Sequence, residues 1–268
     1  MTAAAVHAGE SKSLRHVFFD FDQTISRCHV FMQLAGMGLA QQFVSPPFAL
    51  SEQGQIHKIS ELNGEGMRWS YDDATHTISS SGAAQPTGGS WTCAALGGAE
   101  RVEALRSLFV FLKAKGAVLT IITKGYVGVV RKVLLTEGLL EYFDIVYGNI
   151  GKAYGENDYD KIGREVSDLE GDAGCNLALP KALHIAALLK KYAIKGSQAV
   201  LVEDDPAEVK SVKTICRSVY VKQRQGMTEV EMEQLRLLAD APSSPQKKLV
   251  KSLVPPGSKK RPLLETSE

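Results

Sequence analysis

The chain lacks a cysteine framework. Its four cysteines, Cys28, Cys93, Cys175 and Cys216, are scattered irregularly over 268 residues. No pair has the close spacing of a zinc knuckle or a redox dithiol, so they read as reduced thiols. Long apolar runs are absent too. Stretches such as 117–123 are far too short to span a bilayer, and Met1 to Ser13 has no apolar run of the signal-peptide kind. These absences predict a cytoplasmic protein with no membrane partner. Charge of one sign is also missing: 31 basic residues oppose 30 acidic ones, for a formal net charge of +1. Such balance gives no global reason to expect nucleic acid as a partner. There is no internal repeat.

What is present suits a globular enzyme. Hydrophobic residues make up 44% of the chain, enough for an ordinary core, and the length accommodates one α/β domain with an insertion. Val17-Phe18-Phe19 reads as a short buried strand that ends in acidic residues. Apolar residues at Val102, Leu105, Leu108, Phe109 and Leu112 have the spacing of a core-facing helix over 98–115. A buried strand over 117–122, a helix over 127–136 and a strand over 143–147 follow, then a polar loop over 148–174. Beyond it come a helix over 180–192, a strand over 199–202, a helix over 206–216 with Asp205 at its N-cap and Pro206 in its first turn, a strand over 219–221 and a helix over 228–238. Strands alternating with helices predict a doubly wound, Rossmann-like parallel sheet.

Two segments break the rhythm. Residues 41–96 carry Pro46-Pro47, many glycines and serines, and β-like runs at 56–59, 67–71 and 75–79 that suggest a small meander. They are expected to form an insertion above the sheet, with Trp69 and Trp91 as its miniature core. The segment 241–268, with Lys259-Lys260-Arg261, is basic and biased and reads as a disordered tail; such a run is a solvated tail or a nuclear address. Residues 1–13 read as a disordered N-terminus. The core is then 14–40 together with 97–240.

The unusual residues fall where an α/β sheet presents its ligands, beyond the carboxyl ends of its strands. The first strand ends in Asp20-Phe21-Asp22-Gln23-Thr24, the second in Thr123-Lys124-Gly125, and the fourth in Asp204-Asp205; Lys181 begins the helix before that last strand. Together they suggest phosphoryl transfer through an aspartyl phosphate. Asp20 is the candidate nucleophile. Because carboxylate and phosphate repel, a divalent cation must accompany them, and Mg²⁺ suits a few carboxylates, a phosphate oxygen and water. Asp20 and Asp204 would supply carboxylates and Asp22 its backbone carbonyl. Asp22, close to Asp20, can protonate the leaving alkoxide and then deprotonate water. Thr123, Lys124 and Gly125 would receive the phosphoryl group, with Gly125 allowing a tight turn. Lys181 would hold Asp20 and offset transition-state charge.

These segments resemble the haloacid dehalogenase superfamily, in its phosphatase-type members. VFFDFDQT matches the family's first motif and LTIITKG the second; Lys181 stands for the third and AVLVEDDPAEV for the fourth. The resemblance covers about 14–40 and 97–225. It implies a Mg²⁺-dependent phosphatase acting on a small phosphorylated compound or a phosphoprotein. It also implies that the 41–96 insertion is a cap, that either Asp205 or Glu208 in the fourth motif is the supporting acid at the metal, and that an aspartate at the position of Asp22 marks phosphatases and phosphotransferases rather than members acting on carbon–halogen bonds. Each element has a plainer reading: Asp-x-Asp as a loop feature, Lys181 as a solvated lysine, Asp204-Asp205 as a helix cap. Order and placement argue against all of these at once. A receiver-like phospho-acceptor switch would have its acidic pair first and its lysine last, the reverse of what is seen here. A catalytically silent binding protein would be expected to have lost one of these groups. A nucleophilic Cys28–His29 pair would need a thiol of low pKa.

Overall fold

Hydrophobic strand cores give a five-stranded sheet in the order β5-β4-β1-β6-β7, with every neighbouring pair parallel. The computed structural model describes residues 13–81, 88–150 and 180–240. Most of the expected 148–174 loop, nearly all of the N-terminal segment and the whole basic tail lie outside those residues. The strands are β1 (His16–Phe19), β4 (Val118–Tyr126), β5 (Ile145–Asn149), β6 (Ala199–Glu203) and β7 (Arg217–Tyr220). From β1 the chain runs to β4 and β5 on one side; β6 and β7 lie on the other. β1 therefore marks the point where the winding reverses, which is where such sheets bind ligands.

One face of the sheet is covered by α4 (Ala99–Ala114), α5 (Val127–Thr136) and α8 (Glu229–Asp240), which share a core with Val17, Phe19, Leu119 and Ile121. The other packs Phe18, Ile122 and Leu201 against α6 (Lys181–Lys191). The alternation of Val17 and Phe19 against Phe18 is the two-residue period of a strand buried on both faces. α7 (Pro206–Ser211) is capped by Asp205, whose side chain accepts the Ala207 N–H. It ends earlier than expected, and Pro180 stands at the N-cap of α6 rather than inside it.

The insertion differs most from expectation. The run 56–59 belongs to α2 (Glu52–Leu62), not to a strand. Ser51 caps it by accepting the Gly54 N–H, and Ile56, Ile59 and Leu62 form one buried helical face. Only two strands pair, β2 (Arg68–Asp72) with β3 (Thr77–Ser81), antiparallel. The turn between them is held by Asp72 Oδ1, which accepts the Ala74 and Thr75 N–H groups. Trp69 and Trp91, the latter opening α3 (Trp91–Ala95), are buried as expected, but in the same cluster as the sheet residues. α2 also packs against α5, so the insertion shares the main core instead of carrying a separate one.

At the opposite end of the sheet from the acidic residues, His16 is 2% exposed. Its ring stacks on Phe18 at 4.1 Å, its Nε2 meets Thr120 Oγ1 at 2.9 Å, and its Nδ1 has no partner. Burial lowers its pKa to about 4, against a smaller opposing pull from Asp144. Because the folded state resists this proton, the unfolded chain binds more protons between the two pKa values. Stability is therefore complete above about pH 6.5 and falls as pH drops towards 4. The expected loss is about 3 kcal/mol across that window. Urea midpoints measured at pH 7 and pH 5 should fall more steeply for the native chain than for His16→Gln.

Candidate active site

Asp20 begins where β1 stops: its N–H donates to Val202 O at 2.9 Å, the last ladder bond before the chain turns. The turn is tied down at Phe21, whose carbonyl accepts N–H groups from Thr24, Ile25 and Ser26. Ser26 Oγ donates to Phe21 O and Cys28 O. Gln23 takes a left-handed conformation, φ 60°, and its side chain donates to Arg224 O. This fold-back carries Asp22 to the start of α1 (Val30–Ala35). There Asp22 Oδ1 accepts the Val30 N–H at 2.7 Å, and Oδ2 lies 3.2 Å from His29 Nδ1.

Lys181 is reached from the other side of the sheet. Pro180 and Lys181 open α6, and the Lys181 backbone N–H donates to Glu208 Oε2 at 2.9 Å. Its buried ammonium donates to Asp20 Oδ1 and, at 2.7 Å, to Glu203 Oε2. The other oxygen of Glu203 accepts the Asp205 N–H. Asp204 Oδ2 is 3.2 Å from Arg224 Nε, with the Thr24 hydroxyl near Oδ1.

Thr123 is buried within β4, and its hydroxyl oxygen accepts the Gly125 N–H at 3.0 Å. Its own O–H is thereby left to donate elsewhere. Gly125 does not make the expected tight turn: β4 continues to Tyr126 through a register shift against β5. The position instead allows a close approach, since a Cβ there would lie 3.4 Å from both Asp22 Oδ2 and Thr123 Oγ1. Lys124 pairs its ammonium with Glu208 Oε1 at 2.8 Å.

These residues surround one cavity of about 320 Å³ at the carboxyl end of the sheet. It includes Asp20, Asp22, Thr123, Lys124, Lys181, Asp204 and Asp205, with Gly125 directly behind Asp22 and Thr123. Met32 and Leu39 add an apolar wall. Among the described residues, no lining group comes from 41–96.

The electrostatics follow from burial. Asp20 is raised to about 6 because burial outweighs the help of Lys181. Glu203 is raised to about 8 by burial and then by Asp20, and burial also raises Asp204 despite Arg224. Burial would lower Lys181, but Asp20 and Glu203 together raise it. Likewise burial opposes a charged His29, and the carboxylates of Asp22, Asp20 and Asp204 together more than offset it. Cys28 moves the opposite way from a nucleophile, raised by burial and then by Asp22.

Oxygens of Asp20, Glu203 and Asp204 lie within 4.8 Å of one another. Four carboxyl groups, Asp20, Asp22, Glu203 and Asp204, crowd round two firm cations, Lys181 and Arg224, so acidic groups outnumber basic ones. That imbalance suits a divalent cation, and hard oxygen donors suit Mg²⁺. By hydrogen-bond accounting both Glu203 oxygens serve Lys181 and the Asp205 N–H at short range, whereas Lys181 takes only Oδ1 of Asp20 and Asp204 is held by the longer contacts of Arg224 at 3.2 Å and Thr24 at 3.5 Å. Asp22 has both side-chain oxygens engaged, which leaves its main-chain carbonyl. Asp205 uses Oδ1 to cap α7.

Sequence reasoning missed Glu203 as the second holder of Lys181 and Arg224 as the partner of Asp204. An acidic residue directly before the Asp204-Asp205 pair was the available signal for the first. Arg224 follows β7 with φ 55° and had no signal.

No family model matches the chain, and no curated protein matches it in sequence. Several solved structures are similar to it. A haloacid dehalogenase-like hydrolase of Streptococcus pneumoniae is 14% identical over 84% of this chain and 91% of its own, TM-score 0.35. A phosphoserine phosphatase in apo form is 16% identical over 80% and 92%, TM-score 0.38. A 3-deoxy-D-manno-octulosonate 8-phosphate phosphatase of Moraxella catarrhalis, in complex with magnesium, phosphate and its sugar acid, is 14% identical over 85% and 86%, TM-score 0.36. Overlap this loose fixes nothing by itself; the sheet order and the side chains of the site carry the functional reading.

Proposed function

We propose that the protein is a Mg²⁺-dependent phosphatase that hydrolyses phosphomonoesters through a phosphorylated Asp20. The observation behind this is the meeting of Asp20, Asp204 and Lys181 at the point where the sheet reverses, with Asp22 and Thr123 lining the same cavity. Mg²⁺ held by Asp20, Asp204 and the Asp22 carbonyl would neutralise carboxylate and phosphate so that they can approach.

The chain's own groups supply the rest. A carboxylate oxygen of Asp20 bonds to phosphorus as the bond from phosphorus to the leaving oxygen breaks, and Asp22 gives that oxygen its proton. Asp22, now a carboxylate, takes a proton from water, whose oxygen bonds to phosphorus as the Asp20–phosphorus linkage breaks. Inorganic phosphate leaves and Asp20 is restored. The free O–H of Thr123 donates to a phosphoryl oxygen. Lys181 holds the orientation of Asp20 and offsets charge that builds on the phosphoryl group. Glu208 fixes the start of α6 and the Lys124 side chain. A small phosphorylated compound or a phosphoprotein would both present the required monoester. The cytoplasm, where the cysteines would stay reduced, is the proposed location.

Hydrolysis of p-nitrophenyl phosphate should require Mg²⁺. EDTA should lower the rate by about 100-fold or more, with recovery on adding Mg²⁺ in excess, since the cation stabilises several kcal/mol of transition-state charge. Full activity in EDTA would rule out the metal's role.

A further inference from the structure

We infer that His29 is a positioning residue for Asp22, fixing the carboxylate that exchanges protons with the leaving group and water; this rests on the phosphatase reading above. Asp22 is held by two consecutive residues at the head of α1. The Val30 N–H donates to Oδ1 at 2.7 Å, and His29 Nδ1 approaches Oδ2 at 3.2 Å. That nitrogen is buried and has no other hydrogen-bond partner among the described residues, and at 3.2 Å from Oδ2 it faces the Asp22 carboxylate as an ion-pair contact. Gly125 also lies close to Oδ2, where even a methyl group would reach van der Waals contact. Oδ2 therefore has both an imidazole and a bare backbone beside it, and Oδ1 is fixed by an amide. The carboxylate plane is set by both.

A proton donor loses efficiency steeply when its oxygen leaves hydrogen-bond reach of the departing group. Replacing His29 by an apolar residue would leave Oδ1 anchored and free Oδ2 to swing. His29 is also the N-cap residue of α1, but its side chain makes no capping bond. The imidazole's contribution is thus to Asp22 and not to the helix end.

The test compares kcat/KM on two substrates, glycerol 2-phosphate and p-nitrophenyl phosphate, with Mg²⁺ present. The parameter covers the step in which the leaving group departs, and the alkoxide needs a proton while p-nitrophenolate barely does. His29→Leu should lower kcat/KM for the alkyl ester by roughly 10- to 100-fold, part of the range general acids contribute, and for the aryl ester by less than about 3-fold. His29→Asn, which keeps an N–H near the Nδ1 position, should stay within about 3-fold on both. The ratio of the two substrates cancels any difference in the fraction of folded enzyme. Equal losses on both, no loss on either, or an asparagine variant as impaired as leucine would each overturn the assignment. Failure of the underlying reading looks different: Asp20→Asn would then retain turnover on both substrates.

Discussion

Asp20→Asn should lower turnover of p-nitrophenyl phosphate by at least about 10⁴-fold while leaving the fold intact, because it removes the covalent nucleophile and replaces it with an isosteric amide. The same substitution should raise thermal stability in EDTA. Asp20 is 5% exposed, and burial raises its pKa to about 6 even with Lys181 beside it. The folded state therefore penalises the charge that this side chain still carries at pH 7, and asparagine removes that penalty. Sign and cause agree: the unfavourable charge is retained for chemistry, at the expense of stability. With saturating Mg²⁺ the difference should shrink, because the cation stabilises only the native carboxylate cluster. Turnover and melting curves, with and without Mg²⁺, check both parts. A variant that keeps its turnover would remove Asp20 from the nucleophile role. One that melts well below the native chain in EDTA would show that the pair with Lys181 outweighs the desolvation of Asp20.

The parts of this molecule legible from its sequence are those governed by local pattern. Val17-Phe18-Phe19 and the run 199–202 are unbroken apolar stretches because both faces of β1 and β6 are covered, and such runs announce themselves. Asp20 and Asp204 could be placed because each directly follows an apolar strand, Asp22 because it stands in the turn just beyond, and Thr123 because it closes the apolar run of β4. Helix α2 was hidden for the opposite reason: its buried face includes Glu52 and Gln55. Glu52 Oε1 accepts the Gly128 N–H and Gln55 donates to the carbonyls of Phe31 and Ala49. Polar residues buried to satisfy backbone groups on other elements erase the apolar periodicity on which a helix is recognised. Glu203 was on the page as a residue but not as a partner, because its contact with Lys181 depends on how α6 docks beside β1 and β6. Arg224 is a loop residue whose role comes from its contact with Asp204, and no spacing rule reaches it. His29 stands shortly after Asp22, where it could be suspected of lining the site, but its pairing with Asp22 depends on the fold-back between them.

Lys181→Met should be the most damaging change to both stability and turnover among the residues that do not bond to phosphorus. The Lys181 ammonium lies fully buried between Asp20 and Glu203, and its backbone N–H is tied to Glu208. Methionine keeps the length and apolar stem of the side chain, so the cavity stays filled and only the charge is lost. Asp20, Glu203 and Asp204 would then face one another with Arg224 alone in partial compensation. Removing one partner of a buried ion pair costs on the order of 3–5 kcal/mol, because the partner charge is left uncompensated. Turnover should fall by roughly 10²–10³-fold as the charge that, in the proposed mechanism, orients Asp20 and offsets the phosphoryl group disappears. The diagnostic result is the response to Mg²⁺. A cluster one charge more negative attracts the cation more strongly, so the variant's melting temperature should rise more on adding Mg²⁺ than that of the native chain. A Mg²⁺ response equal to that of the native chain would place the cation away from the Asp20–Asp204 cluster. A stability loss well under 1 kcal/mol would mean that Lys181 and its two carboxylates do not form a closely coupled buried group.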